Sequence, residues 1–209
     1  MHSAICLVGA CALIGFVGGE ACASLVVNGD FEDPSLAGIN SDYVHTPGGN
    51  VVEGSWWVNP WDAGGPWHGT QHTLGGAGAM SVNGDNSNAA GVKRVWFQTV
   101  PVVAGQPYEF SAWALGTASG FPGYSLKFAF DGAQVGEIIS PTAAFVWEQF
   151  SAVITPTSNT LEISIVNVSG ITFPNDFMLD DIALVAVPAP GAAGVCAAGA
   201  AWLVIRRRR

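Results

Sequence analysis

Short apolar-rich runs alternate with turn-forming residues from Ser24 to Val185, and no stretch repeats its apolar positions with the period of a helix. Apolar and polar residues alternate strictly in Leu161–Ile165, and Tyr108 and Phe110 share one face of their run. A period of two is typical of strands with one buried face. The pattern predicts strands at Leu25–Asn28, Tyr43–His45, Ser55–Val58, Ala79–Val82, Arg94–Val100, Tyr108–Ala114, Ser125–Phe130, Gln134–Ile139, Phe145–Ile154, Thr160–Val168 and Phe177–Ala186.

The turn signals between these runs indicate how the strands are connected. Asp131-Gly132 separates two predicted strands and is typical of a tight two-residue hairpin. Many short strands, separated by Gly, Pro, Asn and Asp, are typical of a β-sandwich or a barrel. The sequence therefore predicts an all-β domain without a helical layer.

Charge is distributed unevenly along the 209 residues. The net charge is −9, and four of the seven Lys and Arg residues are Arg206, Arg207, Arg208 and Arg209. Only Lys93, Arg94 and Lys127 remain for the rest of the chain. Phosphate backbones are bound by clustered Lys and Arg, so we expect no nucleic acid partner.

The two ends of the chain are apolar. Ile5–Gly19 has the length of a signal-peptide core, and Ala21-Cys22-Ala23 offers small residues for cleavage, which predicts a signal peptide over residues 1–23. Residues 192–205 form a second apolar run, expected to be a helix of about 21 Å. The arginines that follow are typical of a cytoplasmic stop. The predicted organisation is a signal peptide, a β-sandwich domain over 24–186 and a tail over 187–209.

The tail resembles a known sorting signal. Pro188-Ala189-Pro190-Gly191, an Ala/Gly-rich apolar segment and terminal arginines follow in the order of the PEP-CTERM signal of Gram-negative and related bacteria, with Ala189 in place of the usual Glu. The resemblance implies an exosortase-type processing enzyme as partner, transient inner-membrane anchoring, and a final location at the cell envelope, the outer surface or outside the cell. Its motif residues are Pro188, Pro190, Gly191, Arg206, Arg207, Arg208 and Arg209.

The body resembles the galactose-binding-like jelly roll found in several carbohydrate-binding modules. The segments VNGDFE, starting at Val27, and NDFMLDDIAL, starting at Asn175, carry the likeness, together with a Gln-containing strand, a Gly turn and an aromatic strand between them. The resemblance implies neighbouring first and last strands and a structural Ca²⁺ between them. The implied ligands are Glu32, Asp181, Asn28 and Asp30.

The acidic residues have a second interpretation. Asp30 and Asp180 could be solvated turn residues, and Glu32 could cap a backbone N–H. Strand alternation also predicts that Asp180 and Asp181 point to opposite faces, so that at most one of them points inward.

Four tryptophans lie close together in a Gly- and Pro-rich stretch. Aromatic side chains with polar neighbours can stack on sugar rings, but the same tryptophans could instead plug one end of the sandwich. Gln71 and His72 are further polar candidates, whereas Trp113 and Trp147 lie in clear strand patterns and are expected in the core. The candidate ligand-binding residues are Trp56, Trp57, Trp61, Trp67, Asn59, Asp62 and His68.

The sequence contains neither a Gly-x-Ser-x-Gly nucleophile motif nor a phosphate-binding loop. We therefore expect an exported, non-catalytic protein that binds extracellular polysaccharide in a lectin-like manner. The alternative is a structural matrix or adhesive protein without sugar specificity.

Overall fold

A computed structural model describes residues 23–48, 52–60, 71–88, 92–117, 123–170 and 175–188. All of them belong to one compact unit, Ala23–Pro188. The predicted signal peptide and the tail beyond Pro188, with Pro190, Gly191 and the four arginines, lie outside the described residues. No helix in the described ranges is long and apolar enough to cross a membrane.

The described part is an all-β jelly-roll sandwich, as the sequence predicted. One sheet has the strand order β1-β2-β3-β10-β5-β8, and the other has the order β4-β9-β6-β7. A short 3₁₀ helix, Asn86–Asn88, lies between β3 and β4. The strands are β1 Val44–His45, β2 Ser55–Asn59, β3 Ala79–Asn83, β4 Trp96–Pro101, β5 Tyr108–Gly116, β6 Leu126–Phe130, β7 Ala133–Ile139, β8 Trp147–Ile154, β9 Thr160–Asn167 and β10 Phe177–Ala186.

Every predicted strand except the first is present, with ends shifted by a few residues at most. Leu25–Asn28 is not a strand, although Leu25 N donates to the carbonyl oxygen of Leu184 in β10 at 2.8 Å. Gln98 of β4 holds this segment through both of its amide atoms. Its Oε1 accepts from Val27 N at 3.0 Å, and its Nε2 donates to Val27 O at 2.6 Å. The Gln98 side chain thus makes the two backbone hydrogen bonds that a neighbouring strand would otherwise make.

The turn between β6 and β7 confirms the hairpin prediction. Phe130 pairs with Ala133, so the loop consists of Asp131 and Gly132 alone. Both have left-handed backbones, with φ of 47° and 79°. Two positive φ angles are characteristic of the type I′ turn, whose twist matches that of the strands it joins.

The core lies between the two sheets and is rich in aromatic side chains. Phe128 of β6 stacks on Phe150 of β8 with ring centroids 3.7 Å apart, and Phe110 of β5 packs edge-on against Phe130 at 5.5 Å. Each fully buried side chain of this size contributes about 1.5–3 kcal/mol. The four cysteines lie outside the described residues, so these contacts stabilise the domain without a disulfide among them.

Candidate functional site

The six-stranded sheet has a face that points away from the four-stranded sheet, which we call the outer face. Phe110 of β5 and Phe150 of β8 point into the core. The residues that alternate with the core-facing residues on each of these two strands therefore lie on the outer face. Strand register aligns these outer side chains in rows across β10, β5 and β8. Two adjacent rows are Met178–Leu115–Trp147 and Asp180–Trp113–Gln149.

A β-bulge in β10 changes where its two aspartates point. Asp180 pairs with Trp113 and Ala183 with Ser111, so β10 has one more residue than β5 between these pairs. Asp181 is in the bulge and has a left-handed backbone, with φ of 47°. A bulge of this kind turns the side chains that follow it. The prediction that Asp180 and Asp181 point to opposite faces is therefore wrong.

Both carboxylates bind one segment, Gln71–Gly78, which we call the strap. Asp180 Oδ2 accepts from the backbone nitrogens of His72 at 2.7 Å and Thr73 at 3.2 Å. The Thr73 hydroxyl donates to Asp181 Oδ1 at 2.7 Å and lies 3.2 Å from Asp180 Oδ1. Charge-assisted bonds of this kind are stronger than bonds between neutral groups, so the bulge fixes the first half of the strap to the outer face.

Glu32 holds the other end of the strap. Its Oε1 accepts from Ala77 N at 2.8 Å and from Gly78 N at 2.9 Å. Glu32 therefore caps backbone N–H groups, which agrees with the second interpretation of the acidic residues. The acidic residues near both ends of the domain fasten one loop in the middle of the chain.

His72 lies at the centre of an aromatic group on the outer face. Its ring stacks on Trp113 with centroids 3.9 Å apart and meets Trp147 edge-on at 5.7 Å. Its Nδ1 lies 2.6 Å from Asp181 Oδ2, and its side chain is 27% exposed. Because an ionised carboxylate can only accept, the proton of a neutral His72 is on Nδ1 and its Nε2 can accept. We call His72, Trp113 and Trp147 the outer aromatic cluster.

Burial shifts the pKa of one carboxylate of this site. Asp180 has no exposed surface. Removal of the carboxylate from water raises the pKa of Asp180 to about 6, against the opposing effect of the backbone N–H groups of His72, Thr73 and Asp181.

The predicted calcium ligands are only partly brought together. Asn28, Asp30 and Asp181 line one cleft of about 250 Å³ between the first segment and β10. Asn28 Oδ1 also accepts from Asp33 N at 2.9 Å, while Glu32 binds the strap. Within the described ranges, no three His, Cys, Asp or Glu side chains are placed to hold a metal. The calcium site stays a prediction.

The tryptophan-rich stretch differs from the expected ligand platform where it is described. Trp56 is 6% exposed and stacks on His45 at 4.3 Å, and Trp57 has no exposed surface. Alternation places them on opposite faces of β2, but other parts of the protein cover both faces. Neither ring can stack on a ligand there, which corrects the prediction for this pair. Asn59 Nδ2 donates to Ser81 Oγ at 3.0 Å. Trp61, Asp62, Trp67 and His68 lie outside the described residues.

Sequence reasoning missed the two tryptophans of the outer aromatic cluster. Trp113 and Trp147 were expected in the core, but both are half-buried on the outer face. The alternation of residues in β5 could have predicted this position, because Trp113 lies an odd number of residues from Tyr108 and Phe110. A buried Tyr108 face therefore places Trp113 on the opposite side.

Comparisons with known proteins bear on the fold. No family model and no curated protein matches the sequence. The chain is similar to the structure of a cyclase from Fischerella sp. TAU in complex with 4-(1H-indol-3-yl)butan-2-one, with 15% identity and a TM-score of 0.57 over 81% of this chain and 99% of the cyclase. A Stig cyclase from the same organism has 14% identity and a TM-score of 0.53 over 81% of this chain and 99% of the cyclase.

A third structure is a carbohydrate-binding module of family 61 in complex with β-1,4-galactotriose. It has 15% identity and a TM-score of 0.49 over 79% of this chain and 99% of the module. At such identities the likeness to the cyclases shows a shared fold alone, because one fold hosts many activities.

Proposed function

We propose that this protein is an exported, non-catalytic glycan-binding protein that binds polysaccharide on the outer face of β5 and β8. The outer aromatic cluster carries the proposal. Trp113 and Trp147 are partly exposed on adjacent paired strands, and the His72 ring contacts both of them. Flat apolar rings on rigid strands suit stacking against sugar rings.

Polar side chains continue the same face and supply hydrogen-bonding groups. Gln149 pairs with Trp113, and Ser111 pairs with Ser151 one row further along. Gln149 and Ser151 are exposed. Sugars need both an apolar surface for the ring and donors or acceptors for the hydroxyls, and this face offers both.

The predicted sorting segments at the two ends of the chain indicate where the protein would act. The predicted signal peptide and the tail that resembles a PEP-CTERM signal support export, processing by an exosortase-type enzyme and transient membrane anchoring. The proposed location is the cell envelope, the outer surface or the medium, where polysaccharide is abundant.

Polysaccharide retention tests the proposal directly. Purified full-length protein in detergent buffer is passed over a panel of soluble and insoluble polysaccharides. We expect retention by one class, and Trp147→Ala should weaken the binding at least about tenfold through loss of the stacking surface. Trp147→Phe should keep part of the affinity. The control is Val103→Ala, an exposed apolar residue of the loop before β5.

Two outcomes would contradict the proposal. If the panel shows no retention, the protein is better explained as a structural matrix or adhesive protein. If Trp147→Ala and Val103→Ala bind as the unchanged protein does, the binding surface lies elsewhere. Turnover of a retained glycan would contradict the non-catalytic part.

Calcium is a separate part of the proposal, supported by the cleft that Asn28, Asp30 and Asp181 share. A Ca²⁺ ion would use such oxygen atoms and offset the repulsion between carboxylates. EDTA should then lower the melting temperature, and Asp181→Ala should remove the sensitivity to EDTA. Identical melting curves with and without EDTA would refute the calcium site.

A further inference from the structure

Among the described residues around the outer aromatic cluster, the Asp, Glu, Lys and Arg side chains are all acidic. Asp180 and Asp181 of β10 border the cluster through the strap. Glu109 is exposed and lies on the same face of β5 as Trp113, four residues away, or about 13 Å along the strand. A ligand that covers Trp113 and runs along β5 would lie close to these carboxylates.

The cationic side chains of the domain lie elsewhere. Arg94 pairs with Asp42 and with Glu162 of β9 at 2.9 Å each, and its guanidinium lies 3.5 Å above the ring of Phe97 in β4. Lys127 belongs to β6, so it is also on the four-stranded sheet. Lys93 pairs with Asp85, which follows β3. The strap and strands β5, β8 and β10 contain no Lys or Arg.

We infer that the outer face prefers glycans with protonated amino groups over neutral or anionic glycans. The inference rests on the proposed function and specifies its ligand class. Carboxylates without a Lys or Arg beside them attract a sugar ammonium and repel uronate or sulfate groups. The ring of Trp147 adds to the preference, because the negative face of an aromatic ring also attracts cations, whereas His72 already stacks on Trp113.

A matched pair of ligands isolates the effect of the amino group. A β-1,4-linked glucosamine oligomer and the same oligomer after N-acetylation have the same backbone and differ in charge. Affinities for the full-length protein are measured by calorimetry at about pH 6.5, above the pKa of about 6 of Asp180 and below that of an amine with the pKa of an α-amino group. We expect the amino form to bind at least about threefold more tightly at low salt and this advantage to shrink as salt increases. A polyuronate of similar length should bind least.

Two charge-neutralising variants separate a local effect from the net charge of −9. Glu109→Gln removes an acid from the outer face, and Glu137→Gln removes an exposed acid from β7 of the other sheet. We expect Glu109→Gln to reduce the preference for the amino form about twofold or more and Glu137→Gln to leave it unchanged. Equal losses in both variants would overturn the inference, since the attraction would then come from overall charge.

The remaining outcomes distinguish this inference from the proposed function. Equal or tighter binding of the N-acetylated form, still weakened by Trp147→Ala, overturns the amine preference and keeps the glycan site. Amino-glycan binding that survives Trp147→Ala in full overturns the inference, because the cluster is then not involved. Absence of binding to every glycan overturns both.

Discussion

Asp176 and Asp180 are carboxylates that folding removes from water. Asp176 is 7% exposed and accepts a hydrogen bond from Gly84 N at 3.3 Å. Burial, with the nearby charge of Glu53, raises the pKa of Asp176 to about 6, and burial raises that of Asp180 to a similar value. Hydrogen bonds from Arg94 help to lower the pKa of Asp42, and a hydrogen bond from Lys93 helps to lower the pKa of Asp85.

These shifts predict how stability depends on pH. The folded-state pKa values of Asp176 and Asp180 lie above the ordinary aspartate value of 3.8, so the folded state binds more protons than the unfolded state between pH 3.8 and about 6. The unfolding free energy should therefore fall as pH rises from about 4 through 6. Below about pH 4, Asp42 and Asp85 become protonated, and the stability that their ionised forms contribute is lost. Thermal melts across pH should show a maximum near pH 4–5, and a maximum at pH 7 or above would contradict these shifts.

A single substitution tests the contribution of Asp176. Asp176→Asn keeps an oxygen acceptor for Gly84 N and removes the buried charge. It should raise the unfolding free energy at pH 7 by on the order of 1 kcal/mol and flatten the slope between pH 4 and 6. Asp131→Asn is the matched control, because Asp131 is exposed and its Oδ1 accepts from Glu162 N at 2.9 Å. An unchanged slope in Asp176→Asn would assign the pH dependence elsewhere.

At the scale of elements, the hairpin between β6 and β7 depends on its turn. Gly132 has φ of 79° and open space around it, so a side chain there is opposed by the backbone and not by neighbours. Gly132→Ala should lower the unfolding free energy by about 1–2 kcal/mol, measured by denaturant unfolding. The control is Gly116→Ala in β5, where an added Cβ would meet Pro141 at an ordinary 3.5 Å. Equal effects of the two changes would refute the role of backbone conformation.

The β10 bulge and the strap form a second unit at this scale. The bulge turns two consecutive carboxylates toward one loop, and that loop presents His72 to Trp113. A regular strand would direct one of the two aspartates into the core. The proposed glycan site therefore depends on an irregularity in a strand whose ends the sequence predicted as Phe177–Ala186.

At the scale of the whole molecule, the proposed roles of the acidic body and the basic tail are separate. Gln106 Nε2 donates to Val187 O at 2.8 Å, and Val187 N donates to Pro107 O at 2.9 Å, so the chain is held just before Pro188. Deleting residues 188–209 should release the protein to the medium, because the proposed sorting signal and arginines are lost. Immunoblots of cells and medium measure the distribution. Cell association that persists after deletion would contradict a sorting role for the tail.

Alternation and turn chemistry are local, so the sequence by itself determined every strand of the described fold, the Asp131-Gly132 hairpin and the all-β class, although it also predicted a strand at Leu25–Asn28 that the structure lacks. Alternation tells which residues share a face but not what covers that face. Trp57 is therefore fully buried and Trp113 half-exposed, although both lie in strands. Only the tertiary structure decided that Asp180 and Asp181 share partners, because those partners are on a strap more than a hundred residues away in the chain. Strand pairing and long-range hydrogen bonds create the outer face, and no short stretch of sequence contains them.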